Sequence, residues 1–231
     1  MTRIAYVHGF AGTPEVWNDI ADPDGVRVTL PGHGTPVLPT WEDNLAAIGD
    51  SVRGIDVVVG YSLGARVALG LVATGRVPRA ILISVNPGID ATSRDPRRVI
   101  DAGWAALVRG RGVAVFIPAW EAQPLFATQA RVDDARRAAR RTRRLALDAE
   151  GLARSLEVMG LAEMPDYRAA IDDRVALIAG ADDTKYLAIA ESYRVRREII
   201  AACGHDPTLE QPAALAAAIR RLLAVSGEQP A

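Results

Sequence analysis

Val57-Val58-Val59-Gly60-Tyr61-Ser62-Leu63-Gly64-Ala65-Arg66 decides how the rest of the chain is read. Three β-branched apolar residues run into Gly-x-Ser-x-Gly, and Ala65, Val67, Ala68, Leu69 and Leu71 then recur at helical spacing. Buried strand, tight turn and helix in that order make a nucleophile elbow, which holds a serine out above the end of a sheet. The two glycines follow from crowding. The serine backbone is forced into a strained turn, and side chains at Gly60 and Gly64 would strike the neighbouring strand and helix. An ordinary glycine-rich β-to-α turn with a helix-capping serine fits the same residues, so the remainder of the chain has to decide.

A chain of 231 residues with 49% hydrophobic content can bury one sizeable core, and a single α/β domain is expected, with room for an inserted subdomain. The formal net charge of -1 gives no global attraction to nucleic acid or to an acidic membrane. Cys203 is the only cysteine, which excludes an intramolecular disulfide and suits a small core residue at a strand end. The sequence opens on Met1-Thr2-Arg3 and runs straight into a strand, with no apolar leader and no stretch fit to span a bilayer, so a cytoplasmic protein is expected.

Outward from the elbow, short apolar runs alternate with helical patterns. Residues 4–7 read as a first strand that opens into the glycine-rich loop His8-Gly9-Phe10-Ala11-Gly12-Thr13, and Thr13-Pro14-Glu15 starts a helix carrying Val16, Trp17 and Ile20. Residues 26–30 form a second strand, 41–52 a helix, 55–60 the strand of the elbow and 80–85 another strand. Strands and helices at these spacings predict a doubly wound, mostly parallel sheet whose functional loops lie at its C-terminal edge. The alternation stops from 89 to 173, where helical patterning alone continues through 97–108, 113–120 and an arginine-rich segment from 131 to 159. It returns with a strand at 175–179, a helix near 186–193, a strand at 196–201 and a last helix at 212–225, followed by a polar tail, 226–231, expected to fray. The expectation is a core of residues 1–88 and 174–231 with an all-helical cap, 89–173, roofing Ser62.

A serine hydroxyl needs a neighbour to take its proton, usually a histidine held by a carboxylate, and behind an elbow the order is serine, acid, histidine. Of the three histidines only His205 follows Ser62, in a loop just after a predicted strand. The acid is expected after the preceding strand, where Asp182 and Asp183 are adjacent. Asp183 is preferred because the loop needs room to turn back, and the unused aspartate would suit an N-cap. Asp206 is too close in sequence to His205 to orient its ring. The backbone N–H groups of Leu63 and Phe10 fit an oxyanion hole, and His8 and His33 read as hydrogen-bonding loop anchors. Arg66, one helical turn past Ser62, is either a buried guanidinium that needs an anion or a solvated helix arginine. Of Arg136, Arg137, Arg140, Arg141, Arg143 and Arg144, most must face solvent, with one or two free to point at an acidic ligand. No aromatic residues interleave with them, which weakens nucleic-acid binding as a reading.

Taken together, His8-Gly9-Phe10, Leu30-Pro31-Gly32-His33-Gly34, the elbow and Gly204-His205 resemble the α/β-hydrolases. Gly60-Tyr61-Ser62-Leu63-Gly64-Ala65-Arg66, Trp120 with Gln123-Pro124-Leu125-Phe126, Gly151-Leu152-Ala153 with Ser155-Leu156, and Asp183-Thr184-Lys185-Tyr186 narrow the resemblance. They are similar to the 2-succinyl-6-hydroxy-2,4-cyclohexadiene-1-carboxylate synthases of menaquinone biosynthesis. That resemblance implies a lyase that eliminates pyruvate from 2-succinyl-5-enolpyruvyl-6-hydroxy-3-cyclohexene-1-carboxylate, with Ser62, Asp183 and His205 as the base. It implies no cofactor and no metal, and a small anionic substrate met by Tyr61, Arg66, Arg97, Trp120 and Arg144, with Arg98 and Arg143 as alternative positions. The alternative is a serine hydrolase, a carboxylesterase or thioesterase, working through an acyl-enzyme. Departures from the family pattern are the missing N-terminal antiparallel strands, Asp206 in place of an asparagine, and Met159-Gly160-Leu161-Ala162-Glu163-Met164-Pro165 in place of a glycine-threonine-glycine segment.

Overall fold

Apolar runs without alternation suit strands covered on both faces, and they form such a sheet in the computed structural model, which describes residues 2–224. Its six strands are β1 (Ile4–Val7), β2 (Val26–Val28), β3 (Val57–Tyr61), β4 (Arg79–Ile83), β5 (Val175–Gly180) and β6 (Arg197–Ile200). They lie in the order β2-β1-β3-β4-β5-β6, and among the described residues every pairing is parallel. The order reverses between β1 and β3. At such a switch point the connecting loops part and leave a crevice at the C-terminal strand ends.

Alternate residues of β3 serve two cores. Val58 packs with Leu45 of α1 (Trp41–Ser51) and Leu69 of α2 (Leu63–Ala73) on one face. Val57 and Val59 pack on the other face with Trp17 and with Leu215 and Ile219, which lie on a C-terminal helix. The edge strand β2 ends at Val28, two residues sooner than expected. Its exposed Arg27 bonds to Asn18, so shortness and charge blunt this edge. The helix expected after Thr13 is a single 3-10 turn, Pro14–Trp17, because Trp17 is drawn wholly into the core.

Between β4 and β5 the described residues form helices and turns and no strand: α3 (Ala91–Arg111), α4 (Val113–Glu121), a 3-10 segment (Pro124–Arg131), α5 (Asp134–Leu145), α6 (Ala149–Val158) and a short 3-10 turn (Arg168–Ala170). The arginine-rich segment is two helices rather than one. Asp133 accepts the first N–H groups of α5, and Asp148 accepts that of Gly151 at the start of α6, so each helix has its own N-cap. The apolar faces of α3, α4 and α6 form a separate cluster of Val108, Phe116, Ile117, Leu152 and Leu156 that closes over Ala11 and Phe10 of the first loop. After β5 come α7 (Thr184–Glu191), α8 (Pro207–Glu210) and α9 (Pro212–Ala224). Val225, expected in the last helix, and the tail 226–231 lie outside the described residues. Among the described residues no helix is long and apolar enough to cross a membrane.

Candidate active site

Ser62 stands between β3 and α2 with φ 51° and ψ -107°, a conformation that costs a non-glycine residue roughly 1–3 kcal/mol. The surroundings hold it there. Its N–H donates to the Ile83 carbonyl at 2.9 Å. A Cβ on Gly60 would lie 2.3 Å from the Gly64 carbonyl oxygen, and one on Gly64 would lie 2.2 Å from that of Val7. The Ser62 side chain makes no helix-capping bond, which removes the capping alternative. Its Oγ lies 3.3 Å from His205 Nε2, and His205 Nδ1 lies 2.8 Å from Asp183 Oδ2. With Nδ1–H donating to the carboxylate, Nε2 is left to accept the serine proton. Both His205 and Asp183 are buried.

Asp182 takes no part in this chain of bonds, and neither aspartate caps α7 with its side chain. Asp182 instead pairs with Arg131. Asp206 points away from the imidazole: Oδ1 accepts from the Leu209 N–H and the Thr208 hydroxyl, and Oδ2 accepts from Arg140.

The loop after β1 is held by the other two histidines. His8 Nε2 accepts the Leu30 N–H at 3.1 Å while Nδ1 meets the Gly9 carbonyl; His33 Nε2 accepts the Ala11 N–H at 2.9 Å while Nδ1 meets the Pro31 carbonyl. Each ring is therefore a neutral Nδ1–H tautomer. Burial pushes His8 down to about 3 and His33 to about 4, with mutual repulsion adding to the shift at His8. Gly12 N–H closes the turn onto Gly9, and Ala11 sits at φ 52°. The N–H groups of Phe10 and Leu63 have no backbone acceptor among the described residues, as donors for an oxyanion require.

Above Ser62 lies a cavity of about 130 Å³ whose wall includes Tyr61, Arg66, Arg97, Trp120, Arg144 and Tyr186. Arg66 donates to the Met159 carbonyl at 3.1 Å and lies 6.0 Å from the Trp41 ring, but pairs with no carboxylate among the described residues. Burial and the nearby Arg97 lower it to about 10, so it remains cationic at neutral pH. Arg97 reaches the cavity held by Asp101 at 2.8 Å, whereas Arg98 turns outward to Asp95 and Glu163. Arg144 lines the cavity and Arg143 does not. Within the six-arginine run only Arg140 and Arg144 are buried. Phe10, Phe116 and Trp104 pack around Trp120 with ring centroids 4.8, 5.6 and 5.2 Å away.

Asp101 and Glu121 went unread in the sequence, and Arg140 and Tyr186 were named there without the partners they have in the structure. Asp101 holds Arg97, and its spacing of one helical turn was the available signal. Glu121 binds Arg144 at 2.9 Å, Arg140 binds Asp206 at 2.8 Å, and the Tyr186 ring lies 4.4 Å from that of His205. No local pattern marks the first two of these contacts, since their partners are far apart along the chain. Among the described residues no group of three His, Cys, Asp or Glu side chains is gathered for a metal ion.

The model of the alpha/beta hydrolase family matches residues 4–218. The chain is 31% identical to the 2-succinyl-6-hydroxy-2,4-cyclohexadiene-1-carboxylate synthase of Klebsiella pneumoniae (strain 342), over 96% of this chain and 93% of that one. It is 29% identical to the synthase of the same name from Enterobacter sp. (strain 638), over 95% and 91%. Among solved structures, MenH from S. aureus superposes with a TM-score of 0.90 at 22% identity, covering 98% of this chain and 95% of that one. A thermophilic esterase from Thermogutta terrifontis superposes with a TM-score of 0.79 at 24% identity, covering 99% and 91%.

Proposed function

The chain belongs to the alpha/beta hydrolase family, and within it to the 2-succinyl-6-hydroxy-2,4-cyclohexadiene-1-carboxylate synthases, and from that premise we propose that Ser62, His205 and Asp183 are the base of a pyruvate-eliminating lyase. The substrate is 2-succinyl-5-enolpyruvyl-6-hydroxy-3-cyclohexene-1-carboxylate. Substrate and product differ in a way that locates the proton. A 3-ene becomes a 2,4-diene and the C5 oxygen substituent is lost, so the hydrogen leaves C2, beside the succinyl ketone. His205 draws the Ser62 proton and the serine oxygen removes that hydrogen. The electron pair passes into the ketone as an enolate, then returns through C2–C3 and C4–C5 as the C5–O bond breaks; the departing enolpyruvate anion takes the proton from the His205 imidazolium, which restores the base, and tautomerises to pyruvate.

Two features of the site suit this chemistry. The N–H groups of Phe10 and Leu63 would meet the enolate oxygen, where charge develops in the transition state. Three cavity arginines, Arg66, Arg97 and Arg144, match a substrate with three carboxylates, and Tyr61 and Trp120 would pack against its ring. The observation that carries the reading is Arg66, a half-buried cation in the cavity wall without a carboxylate partner among the described residues, one helical turn from the serine. Hydrolysis of a neutral ester would use the same triad through an acyl-enzyme but has no need of that charge.

Replacing Arg66 with Ala should reduce kcat/KM for pyruvate release at least about 100-fold, a loss of one buried charge-assisted contact. Cleavage of p-nitrophenyl acetate, if the wild type shows it, should change by less than about 3-fold. Equal loss of both activities would sink the assignment of Arg66 to the substrate, and absence of pyruvate release from folded wild type would sink the lyase itself.

A further inference from the structure

Arg137, Arg140, Arg141 and Arg144 fall at i, i+3, i+4 and i+7 on α5, the spacing that presents a single helix face. A face packed against neighbouring structure is ordinarily apolar. Here it is four guanidiniums, and they wall a second cavity of about 230 Å³. Gln129 and Phe126 of the 3-10 segment and Glu121 at the end of α4 close the other side.

The charges around this space do not balance. Glu121 is shared, with Oε1 on Arg144 at 2.9 Å and Oε2 on Arg141. Asp206 serves Arg140 at 2.8 Å, and Asp134 serves Arg137 from the solvent side. Four guanidiniums thus face three carboxylates. Four donors in the same wall have no partner, the Nε atoms of Arg137, Arg140 and Arg144 and the amide nitrogen of Gln129. Arg140, Arg144 and Gln129 are 4%, 3% and 8% exposed, so solvent does not satisfy them. An anion in the cavity would offset the excess charge through the guanidinium N–H groups that face it, those of Arg137 and Arg141 being the accessible ones.

We propose that this second cavity binds a small carboxylate anion, at a site distinct from the catalytic cavity. Flat guanidiniums with paired donors match a planar carboxylate. The volume admits an anion of about three or four carbons. Gln123, Phe126 and Arg144 belong to both cavities, so an anion here touches the far side of an arginine that faces the catalytic cavity. The site does not depend on which reaction Ser62 performs.

The test is calorimetric titration of the full-length protein with malonate, and separately with inorganic phosphate, followed by a malonate-soaked crystal structure. Wild type and Arg66→Ala, which alters only the catalytic cavity, should bind malonate within about 3-fold of each other. Arg137→Gln/Arg141→Gln should weaken binding at least about 10-fold, as expected for lost charge-assisted bonds. Gln129→Glu, which puts a carboxylate into the cavity while leaving α5 untouched, should abolish it. The density should lie beside Gln129. No saturable malonate binding to wild type would overturn the proposal, as would binding lost in Arg66→Ala but kept in the α5 variant. Phosphate bound more tightly than malonate would overturn the carboxylate assignment.

Discussion

At the end of β5 the adjacent aspartates Asp182 and Asp183 leave the strand in opposite directions. Asp182 gives its N–H to the Cys203 carbonyl and its carboxylate to Arg131 at the surface; Asp183 gives its N–H to Gly180, and its side chain turns inward to His205. The consequences of replacing them should differ by orders of magnitude. Asp183→Asn is expected to lower kcat for pyruvate release about 10⁴-fold, because an amide in that place favours the wrong imidazole tautomer. Asp182→Asn breaks one exposed ion pair, worth at most about 1 kcal/mol, and should leave kcat within about 2-fold. Steady-state kinetics on the two variants, with circular dichroism to confirm folding, checks both.

One element, the loop from His8 to Gly12, depends on two neutral histidines, and this makes its stability pH-dependent. In the unfolded chain each imidazole titrates near 6.5; in the native state His8 is held to about 3 and His33 to about 4. Folding therefore excludes a proton that the unfolded chain takes up, so stability is complete above pH 6.5 and declines as the pH falls toward 4. At pH 5 the loss is about 2 kcal/mol per histidine. Urea midpoints at pH 7.5 and pH 5 should show it, and the double variant His8→Gln/His33→Gln, less stable at pH 7.5, should lose most of the difference. Unchanged pH dependence in that variant would mean that the carboxylates, not these rings, govern the acid limb. In the folded protein the rings stay neutral until the pH nears 4, so the bond from Ala11 to His33 that aims the Phe10 N–H persists at pH 5 and only stability falls there.

For the whole molecule, the buried ions that join the helices above the sheet to the loop after β6 matter most. Asp206, wholly buried, holds Arg140 at 2.8 Å and lies 4.0 Å from Arg144, which in turn holds Glu121. One carboxylate thus connects α5 and α4 to the segment carrying His205. Removing a single partner from such a cluster strands a charge, whereas replacing both partners with apolar groups can be nearly neutral. Asp206→Ala should cost about 3–5 kcal/mol in urea denaturation, and Asp206→Leu/Arg140→Leu should recover at least half of it. Tryptophan fluorescence is a suitable probe, because Trp104 and Trp120 both lie in these helices. If the single and double variants are equally destabilised, packing rather than charge holds this junction.

The elbow, the parallel strands and the choice of His205 were legible in the sequence alone, since each rests on local pattern: an apolar run without alternation, glycines on both sides of a serine, a single histidine in the right place. The family was legible for the same reason, through short motifs spread along the chain. Which aspartate meets the histidine, which of two neighbouring arginines faces the cavity, and why Asp206 is tolerated beside His205 were decided by the tertiary structure. Arg140 and Asp206 lie 66 residues apart, and Arg66 and the Met159 carbonyl lie 93 apart. Helical spacing says which residues share a face but not what that face meets. On α5 a stripe of arginines, which a sequence reading sends mostly to solvent, is partly turned inward because Asp206 and Glu121 wait there to offset the cost of burial.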